Sequence, residues 1–557
     1  MSTPVKPTCW KPLRRIVADP FWLLIIAVVA CLVPFSDKAV HIDDPLFLWV
    51  ARRIQTHPLD PYGFSVNWNI TQMPMAAVDQ NPPLASYYLA QIGRWFGWGE
   101  RAAHIGLLLP AIAAILGTYY LARQLGSNPM FAGLTVLVTP AFLVSSTTMM
   151  CDTTMTAFLV WAIVFWIDGM QRDSHGSLLV SGLLMAAALL TKYFAIVLPG
   201  LLLAYSAIKK RRLGWWAAYL LIPVAAAIVY DCVTRAAYGK GVLLYAIAFA
   251  PRVRQSGGAS VWTRTLIGLA FAGGCCAPVL FLAPFLWSRR TWLGLAGGAT
   301  AVALLAYFSA RIGTHALPSA GPAHWLIPLQ YGLFVMGGAS LFGLVVTEWG
   351  RTRDAESALL ALWIIGTFAF ATYFNWAITG RALLPMMPAL AILLARRVAC
   401  RRPSSQSGAR RLYTALGALI PAAVLALSAA HSDYRLANSA RTAARAIFKK
   451  FGGQGPVWFA GHWGFQYYME SYGCKPIDLF NLTIPAGAFV VLPENNTDVN
   501  ALPLENLKPF GWVDLHVCRW LSTMRPESAA GFYADLWGPL PFAFGPVRNE
   551  RYYVFRF

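Results

Sequence analysis

Acidic residues are scarce in this chain. Asp and Glu number 24 in 557 residues, and all charged residues together reach only 12%. A soluble domain of ordinary composition is about 25% charged. At a mean hydropathy of +0.52 the chain is instead expected to be a polytopic membrane protein. Cysteine is also sparse, with nine residues and no Cys-x-x-Cys or zinc-type spacing, so no thiolate metal centre is expected. Most of the nine lie in or beside apolar runs, where a small buried hydrophobe is the default. Cys474 and Cys518 lie in the polar tail, where export would let them pair. Internal repeats and low-complexity tracts are missing too.

Basic residues are plentiful, and their placement is informative. The net charge is +21, carried by clusters between apolar runs: Arg14-Arg15, Lys209 to Arg212, Arg289-Arg290, Arg351 with Arg353, Arg396-Arg397 with Arg401-Arg402, and Arg410-Arg411. This is the positive-inside pattern of alternate loops. No compact basic module is visible, so no nucleic-acid partner is expected.

A membrane span needs about 20 mostly apolar residues. Such runs occur near 19–36, 102–122, 130–147, 154–170, 177–191, 193–208, 213–231, 264–286, 291–309, 324–346, 356–375, 379–396 and 412–430, about thirteen in all. The first lacks a small-x-small cleavage site and reads as a retained anchor. With the N-terminus in the cytoplasm, the even connections carry the basic clusters, the loop 37–100 faces outward, and an odd span number places the tail outside. The organisation expected is a transmembrane domain over 1–431 and an exported α/β domain over 432–557. Strands are predicted around 457–460, 489–492 and 552–555, a helix over 526–536, and a cytoplasmic linker at 404–408.

The loop 37–100 holds two amphipathic segments of the kind that lie in the membrane interface. In the first, Asp44 suits an N-cap and Pro45 the first helical position, with Leu46, Phe47, Val50 and Ile54 on one face. In the second, Asn81 caps, Pro82-Pro83 begin the turn, and Leu84, Tyr88, Ile92 and Trp95 form the stripe.

Charged residues at a membrane boundary are costly to keep and are functional candidates. Asp43 and Asp44 come first: one carboxylate of this pair suits a base that deprotonates or orients an acceptor hydroxyl. The capping role fits Asp44, which leaves Asp43 as the catalytic candidate and Asp44 as the alternative acidic partner. Asp152, in Met-Met-Cys-Asp-Thr-Thr, is a second site candidate or a plain N-cap. Lys192 and Arg381 sit at outer boundaries and suit a phosphate leaving group, with headgroup snorkelling as the ordinary alternative. His462, in Gly-His-Trp-Gly, is a candidate acceptor contact or a structural turn. His41 beside Asp43 raises a metal site as the less favoured option. No cofactor is required by any motif.

Five features in order carry a resemblance: the acidic pair 43–44, Pro-Pro-Leu at 82–84, Asp152, Leu-Thr-Lys at 190–192, and Gly-Arg-x-Leu-Leu-Pro at 380–385. Over about 10–400 the chain resembles the GT-C membrane glycosyltransferases of the protein O-mannosyltransferase and lipid A aminoarabinose transferase kind. The resemblance implies an inverting transfer of a hexosyl or pentosyl group from a polyprenyl-phosphate donor to a lipid, glycan or protein acceptor. It places this at the outer face of a bacterial inner membrane, with Asp43 as base. Many relatives carry Lys-Pro-Pro where Asn81 stands here, so Asn81 meets the donor phosphate with neutral hydrogen bonds only. The rival reading is a transporter or flippase. That class uses charges near the bilayer midplane and paired inverted repeats, and here the charges gather at one face.

Overall fold

The computed structural model describes residues 20–255, 260–318, 321–400, 412–481, 483–499 and 507–557. The expected basic clusters at Arg14-Arg15, Arg401-Arg402 and Arg410-Arg411, and the linker 404–408, lie outside these residues.

The fold is mostly helical. Among the described residues nine helices are long and apolar enough to cross a membrane, and up to eleven spans result when two bent pairs count as one span each. The shorter apolar helices Phe21–Phe35 and His175–Thr191 coincide with two further expected spans. The bent pairs are a departure from the expected straight spans. Pro129–Leu137 and Pro140–Ser146 meet at 62°, and Val261–Cys275 and Pro278–Leu286 at 87°. In both, proline opens the second helix, where its missing N–H costs nothing but its ring stops the first helix from continuing. At the first bend Thr139 caps the new helix by accepting from Phe142 N–H.

The loop 37–100 is built in pieces: helix Asp44–Thr56, a hairpin of Ser65–Trp68 with Thr71–Pro74, the single turn Met75–Val78, and helix Leu84–Phe96. The first helix buries its predicted face of Leu46, Phe47, Val50 and Ile54. Of the stripe read from sequence the second buries Ile92 only; Leu84 and Tyr88 are half-buried and Trp95 is 70% exposed, while Ala85 and Leu89 also turn inward. Small residues set this face, because Ala85, Ala90 and Gly93 let the helix approach its neighbours closely.

The tail carries a mixed five-stranded sheet. Its order is Lys475–Pro476, Val457–Phe459, Phe489–Pro493, Glu550–Arg556 and Lys508–Leu515. The first two pairings are parallel and the last two antiparallel. The predicted helix over 526–536 is corrected to a three-residue turn, Pro526–Ser528, followed by a short strand, Ala530–Gly531. Gly531 sits so close to the Ala534 carbonyl and to Gly538 that even a Cβ would collide. Cys474 and Cys518 are free, buried thiols.

The boundary expected at 431/432 falls inside one continuous helix, Leu419–Phe451. The tail is therefore bolted to the membrane helices. Asp433, fully buried on this helix, accepts from Lys38 Nζ at 2.5 Å, Thr523 Oγ1 at 2.9 Å and Tyr533 Oη at 2.7 Å. Phe532 O accepts from Gly380 N–H at 2.7 Å, and Asp535 and Ile378 exchange two hydrogen bonds at 2.9 Å each. Gly380 leaves no room for a side chain, because its Cβ would strike the Phe532 ring.

Candidate active site

Between the loop 37–100, the helix ends near 151, 192 and 381, and the tail lies a cavity of about 400 Å³. Its charged wall is Asp43, Asp79, Lys192 and Arg381, with Asn81, Asn375 and Thr379 as neutral polar groups. Trp68, Trp463, Trp537, Tyr193 and Tyr533 supply aromatic surface.

Asp43 is presented by a strained peptide. Ile42, the residue before it, has φ +47°, a left-handed conformation that a β-branched side chain adopts at a cost of about 1–3 kcal/mol. The strain turns the Asp43 side chain toward the cavity and sends the next carboxylate the other way. Asp43 occupies the cap position of helix Asp44–Thr56 yet makes no capping hydrogen bond. Its carboxylate instead accepts from Arg381 Nη2 at 2.7 Å. The other Arg381 terminal nitrogen contacts the Met150 sulfur.

Asp44 is corrected from a capping residue to an interior clamp. It is the first residue of the helix, 0% exposed, and accepts from His41 N–H at 3.0 Å and Met149 N–H at 2.8 Å. Burial pushes its carboxyl up to about 7, against the opposing pull of Lys38 and of the two backbone donors. His41 is buried beside Asp433 at 3.5 Å, and burial lowers its imidazole below the usual range.

Asp152 stands behind the cavity wall, 2% exposed, and holds Lys192 Nζ at 2.5 Å. Lys192 itself lines the cavity. Asp152 reaches the cavity only through Lys192, which it holds from behind. Arg381 interacts with both Asp43 and Asp152, so the two pairs form one charge cluster.

Asn81 lines the cavity but caps nothing, since helix Leu84–Phe96 begins after Pro83 without a side-chain cap. Its amide nitrogen and its backbone N–H both reach Asp79 Oδ1, at 3.2 and 3.0 Å. Of the expected site residues His462 lies furthest from the role assigned to it. It is buried between Gln466 at 3.0 Å and Asp498 at 3.2 Å, and it stacks on Trp68, which does line the cavity. Its neighbour Trp463 reaches the cavity instead, from a backbone at φ +62°. Gly464 then passes so close to the Val40 carbonyl that only glycine fits.

Residues 80–238 match the family model described as dolichyl-phosphate-mannose-protein mannosyltransferase. That stretch contains Asn81, Asp152 and Lys192. Comparison with curated protein sequences yields no match. Among solved structures, ArnT from Cupriavidus metallidurans bound to undecaprenyl phosphate aligns at 17% identity over 88% of this chain and 96% of its own, with a TM-score of 0.45. The oligosaccharyltransferase of Archaeoglobus fulgidus aligns at 14% identity over 84% of this chain and 65% of its own, with a TM-score of 0.49. Arabinosyltransferase EmbB from Mycobacterium smegmatis aligns at 14% identity over 90% of this chain and 48% of its own, with a TM-score of 0.33. The chain thus resembles the GT-C membrane glycosyltransferases, as read from its acidic pair and its Leu-Thr-Lys and Gly-Arg-x-Leu-Leu-Pro motifs, with the family match itself spanning residues 80–238.

Proposed function

We propose that this protein transfers a sugar from a polyprenyl-phosphate donor to a hydroxyl-bearing or phosphate-bearing acceptor, with inversion at the anomeric carbon. The observation that carries the reading is the pairing of Asp43 with Arg381 on the wall of one cavity, beside Lys192 held by Asp152. A carboxylate and two cations are the groups such a reaction needs.

The donor phosphate competes with Asp43 for Arg381. A guanidinium offers five N–H donors and binds phosphate in a forked geometry. Once Arg381 turns to the phosphate, Asp43 is freed beside the acceptor. The acceptor oxygen attacks the anomeric carbon and its proton passes to Asp43. The bond from that carbon to the phosphate oxygen breaks, and the electron pair leaves with the phosphate. Arg381 and Lys192 meet the charge that develops there, in a site walled off by protein where such contacts act strongly.

The site and the tail face the periplasm of a bacterial inner membrane in this reading, because the basic clusters alternate with the outer loops. The lipid, glycan or protein that accepts the sugar is left open by the same chemistry. The experiment is transfer from labelled undecaprenyl-phosphate sugars by the purified chain. Release of undecaprenyl phosphate by wild type, and its loss in Asp43→Asn, is the expected result. Movement of the intact donor across vesicles without bond cleavage would favour a transporter.

A further inference from the structure

The cavity holds a carboxylate that the reaction above leaves unused. Asp79 is 3% exposed and lines the cavity wall. It closes the single turn Met75–Val78, its own N–H donating to Met75 O at 2.9 Å. One carboxyl oxygen, Oδ1, receives both donors of Asn81. Asn81 is in turn held by Tyr62, whose hydroxyl donates to the Asn81 carbonyl at 2.5 Å. The carboxyl is therefore fixed in orientation from two directions.

Its second oxygen is different. Among the described residues Oδ2 has no hydrogen-bond partner, and Asp79 has no cation. Asp43 and Asp152 each have one. This oxygen is left open to the cavity. Burial of the carboxyl as a whole, with the nearby charge of Asp43 adding to it, pushes it up to about 7. A hydrogen-bond donor that enters the cavity meets a fixed acceptor with no competing partner from the protein. The same cavity is lined by Trp68, Trp463 and Trp537. Aromatic walls with a few fixed polar groups suit a ligand that is apolar on its faces and polar at its edge. A pyranose or furanose ring has that character.

We propose that Asp79 selects the transferred sugar, accepting a hydrogen bond from a hydroxyl or ammonium group on its ring. The inference rests on the glycosyltransferase reading. A site built to hydrogen-bond one substrate group rejects an analogue without it, because its own polar atom is then left unpaired.

The test offers the purified full-length chain, in lipid nanodiscs, undecaprenyl-phosphate-linked mannose, glucose, arabinose and 4-amino-4-deoxyarabinose. Undecaprenyl phosphate release gives kcat/KM for each donor with wild type, Asp79→Asn and Asp79→Ala. The ratio between the best and the poorest donor is expected to shrink by about 10–100-fold in Asp79→Ala, the value of one hydrogen bond to a charged group. If the group read is a hydroxyl, Asp79→Asn keeps part of the ratio, since a hydroxyl can accept from the amide nitrogen that then stands in place of Oδ2. If it is an ammonium, Asp79→Asn loses as much as Asp79→Ala. An unchanged ratio in both variants overturns the inference, as does an equal fall for every donor. If Asp79→Ala unfolds, the isosteric Asp79→Asn, which keeps the oxygen facing Asn81, decides alone. Wild type that releases undecaprenyl phosphate from no donor overturns the glycosyltransferase reading itself, a result distinct from any of these.

Discussion

Arg381 and Asp43 meet at 2.7 Å across 338 residues of sequence. The contact closes the loop 37–100 onto the start of the helix that follows Gly380. In the proposed reaction it also sets an order of events: the carboxylate becomes a base only after the donor phosphate has drawn the arginine away. Each half of the pair can be tested by itself.

Asp43→Asn should insert and fold, since Asn keeps the size and still accepts from Arg381. It should lose about 10²–10⁴ of the transfer rate, the usual cost of a missing general base. Asp44 should behave in the opposite way. Asp44→Ala leaves two buried N–H groups, on His41 and Met149, without an acceptor, and should cost about 1–3 kcal/mol of stability. Transfer assays and thermal unfolding of both variants, side by side, separate the two roles. Equal melting of Asp44→Ala and wild type would contradict the clamp.

Arg381→Lys keeps the charge and loses the fork. The expected outcome is a raised donor KM with the protein still inserted. A KM and rate matching wild type would remove the phosphate contact from the mechanism.

The Lys192–Asp152 pair is buried on the Asp152 side and half-buried at Lys192. Lys192→Met strands a carboxylate in the interior, and breaking such a pair by removing one partner costs about 3–5 kcal/mol. Adding Asp152→Leu should restore most of that stability and none of the transfer. The check is the unfolding temperature of the single and double variants in detergent. Lys192→Met melting no lower than wild type is the result that would sink it.

Stability should also depend on pH through the tail. Glu550 is held by Arg525 at 2.8 Å, yet burial outweighs this and pushes its carboxyl up to about 7. A carboxyl raised above its unfolded value binds more protons when folded, so stability falls as pH rises from the ordinary carboxylate range toward 7. Glu550→Gln should flatten that slope between about pH 4.5 and 7. A slope that is the same in both proteins, measured by thermal unfolding, would assign the dependence to other groups.

A reporter fused after Phe557 should be active in the periplasm, as an odd number of spans requires. Reporter activity confined to the cytoplasm would invert the topology and put the cavity on the wrong side.

Much of the architecture was written in local sequence. Apolar run lengths predict most helices within a few residues, and β-rich runs predict the strands Val457–Phe459, Phe489–Pro493 and Glu550–Arg556. What local pattern does not carry is encounter between distant segments. Trp463, Tyr533 and Trp537 line a cavity whose charges lie 82 to 494 residues earlier, and no periodicity announces that. Asp44 reads as a cap because the dipeptide Asp-Pro looks like a helix start; only the position of Met149 shows its carboxylate turned inward. Asp79 escaped notice for a similar reason. The one local sign was an Asp two residues before Asn81 and the prolines, the spacing at which an Asp side chain takes a backbone N–H.

The share of the cavity wall supplied by the tail bears on how the protein is made. Asp43, Lys192 and Arg381 emerge from the ribosome well before Trp463, Tyr533 and Trp537. A nascent chain that has threaded its helices into the bilayer thus carries every charge of the cluster, with Trp68 and Tyr193, but lacks the aromatic residues that the tail supplies. Completion waits for the last quarter of the polypeptide to cross and dock through Asp433. Under the reaction proposed above, a chain that ends before the tail is expected to leave lipid-linked donor unconsumed.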